Sequence, residues 1–322
     1  VARGGEVTEE MDVYRGEEAF YGKAEEALAA FEHGDVRPLL QVMADADISI
    51  SPEYGENDEI KDYADPSADL YLYALHAEER NNVIAARHPK KFGGEENPGS
   101  GMRTSDARRI IKEVHAGPKA EAYKDIAQRI REVNERALDL KVKYGLTTKE
   151  AAADMRKTYD WYVPLRSDVE NQASMVGGRF NITGPTTRRA KGRRSRADSP
   201  LTFSIMQYEG AVVQGEKNRV SQRMLALVKS NENEAAWKIT EGRGKTRLDE
   251  DGAFRPEWDE RYMEAPNTMH VWVDGVETLI TFADERVARA MKGTGEPSKK
   301  YIEYLGRINR ALSMINTGLN PE

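Results

Sequence analysis

Residues 119–144 carry the pattern that most restricts how this chain can fold. Apolar side chains recur there at alternating intervals of three and four residues, in the order Tyr123, Ile126, Ile130, Val133, Ala137, Leu140 and Tyr144. In an α-helix this alternation places them all on one stripe, as in a coiled coil. Gly145 suits the left-handed cap that ends such a helix. The pattern predicts one long helix, buried along its whole length against a partner in the same chain or in a second copy.

A second predicted helix spans residues 65–88. Asp65 is a suitable N-cap, and Pro66 fits the first helical position, where its missing N–H costs nothing. Pro89 prevents the helix from continuing. The following glycine-rich stretch, residues 89–102, lacks the Lys-Ser/Thr ending of a phosphate-binding P-loop. We interpret it as a connector whose backbone needs glycine at several positions.

Polar residues interrupt the apolar rows of two predicted helices. In helix 65–88, Glu79 and Arg80 fall on the apolar rows, and Asn81 and Asn82 follow directly. The middle of helix 199–229 carries Glu216, Asn218 and Arg219. Buried polar groups need hydrogen-bond partners. We therefore expect the two helices to pair, Glu79 with Arg219 and Glu216 with Arg80. The predicted structural polar core consists of Glu79, Arg80, Asn82, Glu216 and Arg219.

An alternative interpretation gives Glu79 a catalytic role as a general acid or base, beside His76 one turn earlier. One carboxylate and one histidine are weak evidence for catalysis. The five histidines show no metal-ligand spacing, and the chain lacks a serine nucleophile elbow and a dinucleotide fingerprint. The sequence therefore favours no catalytic activity in this segment, and it predicts no cofactor and no metal site.

The strongest binding signal is a basic stretch in a chain whose net charge is −7. Six positive charges fall within nine residues, in the order Arg188, Arg189, Lys191, Arg193, Arg194 and Arg196. Such a stretch contacts the phosphate backbone of nucleic acid, or it pairs with acidic neighbours or with a partner protein. Because no aromatic residue lies between these charges, base stacking is not indicated. Any binding of nucleic acid should be sequence-independent and sensitive to salt.

Composition limits the remaining possibilities. The 322 residues contain no cysteine, so disulfides and thiolate chemistry are excluded. The sequence has no run of about 18 apolar residues, so no transmembrane segment is predicted. The N-terminal residues do not show the pattern of a signal peptide. The chain begins with Val1 and stops soon after an amphipathic stretch, so we expect it to be a piece of a longer protein.

The fold class predicted from these patterns is mainly α, a bundle of long helices with a small β-hairpin insertion. The hairpin signal is Asp274–Gly275 between two apolar runs, which is typical of a type I′ turn. A last helix, with an apolar stripe from Tyr301 to Leu319, and the stripe of helix 119–144 are expected to serve self-association. The predicted divisions are an acidic N-terminal segment (1–64), a helical domain (65–166), a basic irregular loop (167–199), a long helix returning to the helical domain (200–235), the β-hairpin insertion (236–283) and C-terminal helices (284–322).

Several stretches taken in order resemble a known family. They are LYALHAEERNNVIAARHP, PGSGM, YVPLR, the basic stretch, VWVDGVETLITFADERVARAM and NTGLNPE, which together cover residues 70–322. This set resembles a large polyvalent protein-associated domain of giant phage and prophage proteins. Such proteins travel in the virion and enter the host with the DNA. The resemblance implies no catalytic residue, because the family's shared stretches are not an established active site.

The function expected from the resemblance is a structural segment of a large phage virion protein. It would be packaged in the capsid, ejected into the host with the DNA, and form part of a DNA-ejection conduit. Its partners would be further copies, other virion proteins and phage DNA, and its location the virion and then the host envelope or cytoplasm. Two alternatives stay open: a DNA-binding or anti-restriction factor without sequence specificity, and a fragment of a peptidoglycan-cleaving or nucleic-acid enzyme.

Overall fold

The computed structural model describes residues 11–52, 60–96, 98–166, 192–231, 233–241, 245–248, 254–257 and 265–288. The α-helices in these ranges are α1 (Val13–Phe31), α2 (Arg37–Asp45), α3 (Ala68–Arg87), α4 (Thr104–Ala116), α5 (Ala120–Lys143), α6 (Lys149–Thr158) and α7 (Pro200–Ser230). The strands are β1 (Trp237–Glu241), β2 (Lys245–Leu248), β3 (Phe254–Glu257), β4 (Thr268–Val273) and β5 (Val276–Phe282). The chain is therefore mainly helical with a small antiparallel sheet, as its patterns predict.

The sheet is built around the predicted hairpin. Strands β4 and β5 pair through a turn in which Asp274 and Gly275 both have positive φ, 46° and 74°, as a type I′ turn requires. Strand β1 adds to the far side of β5, with Trp237 opposite Phe282. Strands β2 and β3 form a separate two-stranded antiparallel sheet. The hairpin is thus one part of a three-stranded sheet, whose strands all lie within the predicted insertion of residues 236–283.

The apolar stripe of α5 is buried by the chain itself. Tyr123, Ile126, Ile130 and Val133 belong to the main core, which α5 shares with α2, α3, α4 and the start of α7. The expectation that this stripe serves self-association is wrong, because its partners lie within the same chain. The last predicted helix, with the stripe from Tyr301 to Leu319, lies outside the described residues.

Several helix ends differ from those predicted. Helix α3 is capped by Ser67, whose hydroxyl accepts from the Leu70 N–H at 3.2 Å, and not by Asp65. Asp65 instead accepts hydrogen bonds from Lys119 Nζ and from the Tyr123 hydroxyl. A glycine often ends a helix, but the chain stays helical past Gly34, because a π-helical turn at Glu32–Val36 connects α1 directly to α2. Local cap signals are correct to within one or two residues only.

Helix α7 connects the cores of the protein. Its first turns join the main core, and its middle packs on α1 through Val212, Val213 and Val220. Its last turns, with Met224, Leu225 and Val228, cover one face of the three-stranded sheet. Among the described residues, no helix is both long enough and apolar enough to cross a membrane.

Candidate nucleic-acid interface

The glycine-rich loop of residues 98–102 is held on α3 by buried hydrogen bonds. The Asn81 side chain accepts from the Ser100 N–H at 2.8 Å and donates to the Met102 carbonyl at 3.0 Å. The Tyr73 hydroxyl donates to the Ser100 carbonyl at 2.7 Å. The Met102 N–H donates to Ser100 Oγ at 3.1 Å. Because the Ser100 and Met102 amides already have partners inside the protein, the loop acts as a connector and does not offer these amides to phosphate.

Gly101 makes this loop fit against the end of the basic stretch. Its φ is +95°, and a Cβ at this position would collide with the Ser195 carbonyl oxygen and with the Tyr73 hydroxyl, 2.7 Å away. Only glycine combines that backbone angle with so close an approach of two backbones. The loop and the basic stretch therefore pack directly on one another.

The basic segment is the predicted irregular loop of residues 167–199, and two backbone hydrogen bonds join its described part to the helical body. The Asp198 N–H donates to the Arg166 carbonyl at 3.0 Å, and the Arg193 N–H donates to the Gly99 carbonyl at 2.8 Å. Both contacts are antiparallel bridges. Residues 167–191, which include Arg188, Arg189 and Lys191, lie outside the described residues. The described residues that flank this gap lie close together, since the Arg193 guanidinium donates to the Arg166 carbonyl.

The three described arginines of the basic stretch differ in role. The Arg193 guanidinium donates to the Ser195 carbonyl at 2.8 Å, to the Arg166 carbonyl at 3.2 Å and to the Arg196 carbonyl. It therefore closes the turn of its own segment. Arg194 is exposed, and Arg196 is partly buried. Of these three arginines, Arg194 is the exposed one.

Other positive charges lie near Arg166 and Arg193, where the basic segment joins the helical body. Burial lowers the pKa of Arg80, and the nearby charge of Arg193 lowers it further. Burial likewise lowers the pKa of Lys141 to about 8, and Arg166 adds to this shift. Like charges disfavour one another's charged forms only at short range. Arg80 and Lys141 therefore lie close enough to Arg193 and Arg166, respectively, for their charges to interact.

Glu79 does not pair with Arg219. Its carboxylate accepts from the backbone N–H groups of Asp160 and Trp161, at 3.1 Å and 3.3 Å. Burial alone would raise the pKa of Glu79, but the nearby His76 ring and the hydrogen bonds from these two amides outweigh it, and the pKa is lowered. Glu79 therefore anchors the end of α6 on α3 as an anion. A general acid at neutral pH needs the opposite shift.

Glu216 does not pair with Arg80 either. It accepts from the Tyr144 hydroxyl and, at 3.4 Å, from Arg219 one turn further along α7. Asn82 is exposed on α3, so it does not belong to a polar core. The buried asparagine of α3 is its neighbour Asn81, which is 6% exposed. A shift of one residue turns the side chain by about 100° around the helix axis, which exchanges the inner and outer faces.

The side chain of Asn218 in α7 makes three hydrogen bonds, and the predicted polar core does not contain this residue. It is fully buried, and its side chain donates to the carbonyls of Tyr144 and Trp272, both at 2.8 Å. It also accepts from the Trp272 N–H at 2.9 Å. The sequence signal was its position among apolar residues of α7. That signal shows a need for partners, but it does not identify backbone groups of α5 and β4 as those partners.

Comparisons with known proteins give no match. No family model matches the chain, and neither does any curated protein or solved structure. The resemblance to the large polyvalent protein-associated domains therefore stays a prediction that rests on the sequence alone.

His76 has unusual surroundings for a histidine, because its polar ring is buried without hydrogen-bond partners. Its side chain is fully buried, and neither ring nitrogen has a hydrogen-bond partner. Nδ1 lies 3.8 Å from Glu79 Oε2, and the rings of Tyr159 and Tyr162 stand edge-on to it. Burial lowers the pKa of His76, so its ring is neutral at pH 7. Among the described residues no group of three or more potential metal ligands surrounds it or lies elsewhere.

Proposed function

We propose that this chain is a structural, DNA-contacting segment of a large phage virion protein that is packaged in the capsid and ejected with the DNA. The observation that supports the DNA contact is the basic stretch itself, six positive charges in nine residues of which Arg194 is exposed. The Arg193 guanidinium, bound to the Arg166 carbonyl, anchors this stretch to the helical body. A concentrated positive surface on an acidic protein suits a partner of uniform negative charge.

The proposed contact is with the phosphate backbone and not with base edges. Arg188 to Arg196 contain no aromatic residue that would stack on a base. Arg193 is occupied by backbone carbonyls, so it does not offer a planar fork to a guanine. Binding would therefore be equal for different sequences, and it would weaken steeply with salt through counterion release.

The structural part of the proposal concerns the helices. In this view α1, α3, α5 and α7 act as a bundle of long helices that holds the basic surface, while further copies or other virion proteins pack around it. The chain would be located in the virion and, after ejection, in the host envelope or cytoplasm. The carboxylates of the half-buried Glu79 and the buried Glu216 then connect neighbouring elements, and catalysis is not part of the function.

DNA binding is tested by fluorescence anisotropy with labelled duplexes of two unrelated sequences, over a series of salt concentrations. We expect equal affinity for both sequences. The logarithm of the association constant should fall linearly with the logarithm of the salt concentration, and each phosphate contact should contribute about 0.9 to the steepness of this line. The variant R188A/R189A/K191A/R194A should lose most of the affinity and slope. A matched control, K23A/K149A/K157A/K238A, removes four exposed charges elsewhere on the surface and should bind like the unchanged protein.

Two results would refute the DNA contact: absence of salt-dependent binding, or equal loss in the basic-stretch variant and the control. The virion part is tested separately, by mass spectrometry of purified phage particles. Peptides of this sequence should copurify with the particles. Recovery of the protein from the host cytoplasm only would contradict the virion proposal and favour the alternative of a cytoplasmic DNA-binding factor.

A further inference from the structure

A second group of positive charges follows the end of α3. Arg87, Lys90 and Lys91 are all exposed, and they belong to the sequence RHPKK. Arg87 lies in the last turn of α3, where a cation offsets the negative end of the helix dipole. Lys90 and Lys91 lie beyond that turn, so the helix dipole does not account for them. These three charges are separated from the basic stretch by about a hundred residues of chain.

The fold brings this group against the basic stretch. The ring of Phe92 packs directly on Gly192, so closely that any Cβ at residue 192 would collide with its Cε2 and Cζ atoms. The next residue after Gly192 makes a second contact between the two segments. The Arg193 N–H donates to the carbonyl of Gly99, seven residues after Phe92, at 2.8 Å. Phe92 is adjacent to Lys91, and Gly192 is two residues from Arg194. The two contacts therefore bring the chain segment that follows Lys91 against the segment that leads to the exposed Arg194.

We infer that Arg87, Lys90, Lys91 and Arg194 form one continuous phosphate-contacting surface, with Phe92 on Gly192 as the joint that fixes its two halves. The partner is the backbone of duplex DNA. This inference rests on the proposed function and extends it, because it adds three residues outside the basic stretch and assigns a mechanical role to Phe92.

The acidic and apolar residues of the chain bear on the choice of partner. Glu95 and Glu96 follow Lys91 and are exposed. The Glu95 carboxylate is used as a cap at the start of α4, where it accepts from the Ser105 hydroxyl at 2.7 Å. The large exposed hydrophobic residues among those described are Val273, Val276 and Val287, and all lie in the C-terminal part of the chain. A protein partner would need an apolar centre to its interface, whereas a phosphate backbone does not.

The test compares three variants of the full chain in the same anisotropy assay. R87A/K90A/K91A should bind duplex DNA about tenfold more weakly or worse near physiological salt, with a salt slope reduced by about two to three. R87K/K90R/K91R keeps every charge and should bind like the unchanged protein. The control K23A/K149A/K157A removes three exposed charges from other surfaces and should also leave affinity and slope unchanged.

Phe92→Ala tests the joint. It removes no charge, so a loss of affinity without a matching loss of thermal stability would support the role of Phe92 in aligning the two halves. The inference is overturned if the unchanged protein binds DNA while R87A/K90A/K91A, folded by circular dichroism, keeps the same affinity and slope. That outcome leaves the proposed function intact. Absence of DNA binding by the unchanged protein would overturn both.

Discussion

The carboxylate of Asp69, in the first turn of α3, accepts a hydrogen bond from the backbone N–H of Leu201, in the first turn of α7, at 2.8 Å. Its other oxygen accepts from the Ser199 hydroxyl, also at 2.8 Å. Ser199, the residue before α7, makes no cap hydrogen bond to the helix with its own side chain. Asp69 therefore acts as an N-cap supplied by another helix, and it joins the starts of the two helices that carry the polar residues.

Asp69 should make stability depend on pH. Burial raises the pKa of its carboxyl from 3.8 to about 7, although both hydrogen bonds act in the opposite direction. The folded protein therefore holds this proton more tightly than the unfolded chain. Its contribution to stability is full below about pH 4 and is lost as the pH rises towards 7. Asp69→Asn should abolish this part of the pH dependence, as measured by urea unfolding at several pH values.

The matched control for Asp69 is Asp154→Asn, at an exposed position on α6. It should unfold with the same pH dependence as the unchanged protein. Asp69→Ala, which removes the cap itself, should lower the free energy of unfolding by about 1–3 kcal/mol. If Asp69→Asn and the unchanged protein show parallel stability curves between pH 4 and 7, the buried carboxyl does not titrate as described.

Glu209 gives a second, independent pH effect. It is 5% exposed, its Oε1 has no hydrogen-bond partner, and burial raises its pKa to about 8 from 4.5. Since the folded state favours the protonated form, stability falls as the pH rises from about 4.5 to 8. Glu209→Gln should leave stability at pH 4.5 nearly unchanged and raise it by about 1–3 kcal/mol above pH 8. Thermal melts at both pH values measure this, and Glu26→Gln, exposed on α1, is the control.

Asn218 should hold the sheet on the helices. Removing its side chain leaves the Trp272 N–H without its acceptor and the carbonyls of Tyr144 and Trp272 with one donor fewer. Gln222 Nε2 donates to the same two carbonyls, at 3.1 Å and 2.8 Å, so the loss is partly shared. Asn218→Ala should lower the free energy of unfolding by about 2–3 kcal/mol and speed hydrogen exchange at the Trp272 amide.

The corresponding change at Gln222 supplies the comparison. Gln222→Ala should cost less than Asn218→Ala and leave exchange at the Trp272 amide slow, because the acceptor Asn218 Oδ1 is still present. The double variant should cost more than the sum of the two, since the shared carbonyls then lose both donors. Purely additive effects would show that the two side chains do not support each other.

Two glycines within helices should respond oppositely to alanine. The Tyr144 ring lies directly on Gly215 of α7, and a Cβ there would collide with it, whereas nothing lies within 4 Å of a Cβ on Gly22 of α1. Gly215→Ala should destabilise by about 1–3 kcal/mol through overpacking. Gly22→Ala should stabilise by about 0.5–1 kcal/mol, because alanine loses less backbone freedom in a helix. Chemical denaturation measures both, and effects of the same sign would contradict the contact at Gly215.

Local patterns predicted elements well where one stretch of chain contains all the information. The stripe from Tyr123 to Tyr144 predicts α5, because helical periodicity is set by neighbouring residues. Asp274–Gly275 predicts the hairpin turn, because few residues tolerate positive φ. Cap positions were less accurate: α3 is capped by Ser67 and not by the predicted Asp65, whose carboxylate accepts from Lys119 and Tyr123 instead.

The sequence by itself determined that the chain is mainly helical, where its long helices lie, and that six positive charges stand close together in an acidic protein. Only the tertiary structure decided which groups within the chain contact one another. It paired Asp69 with the start of α7, turned Arg193 onto backbone carbonyls, and placed Phe92 against Gly192 so that two distant basic stretches meet. The physical reason is that periodicity and propensity act over a few residues, whereas partners for buried polar groups and neighbours for charges come from segments that approach only when the core forms.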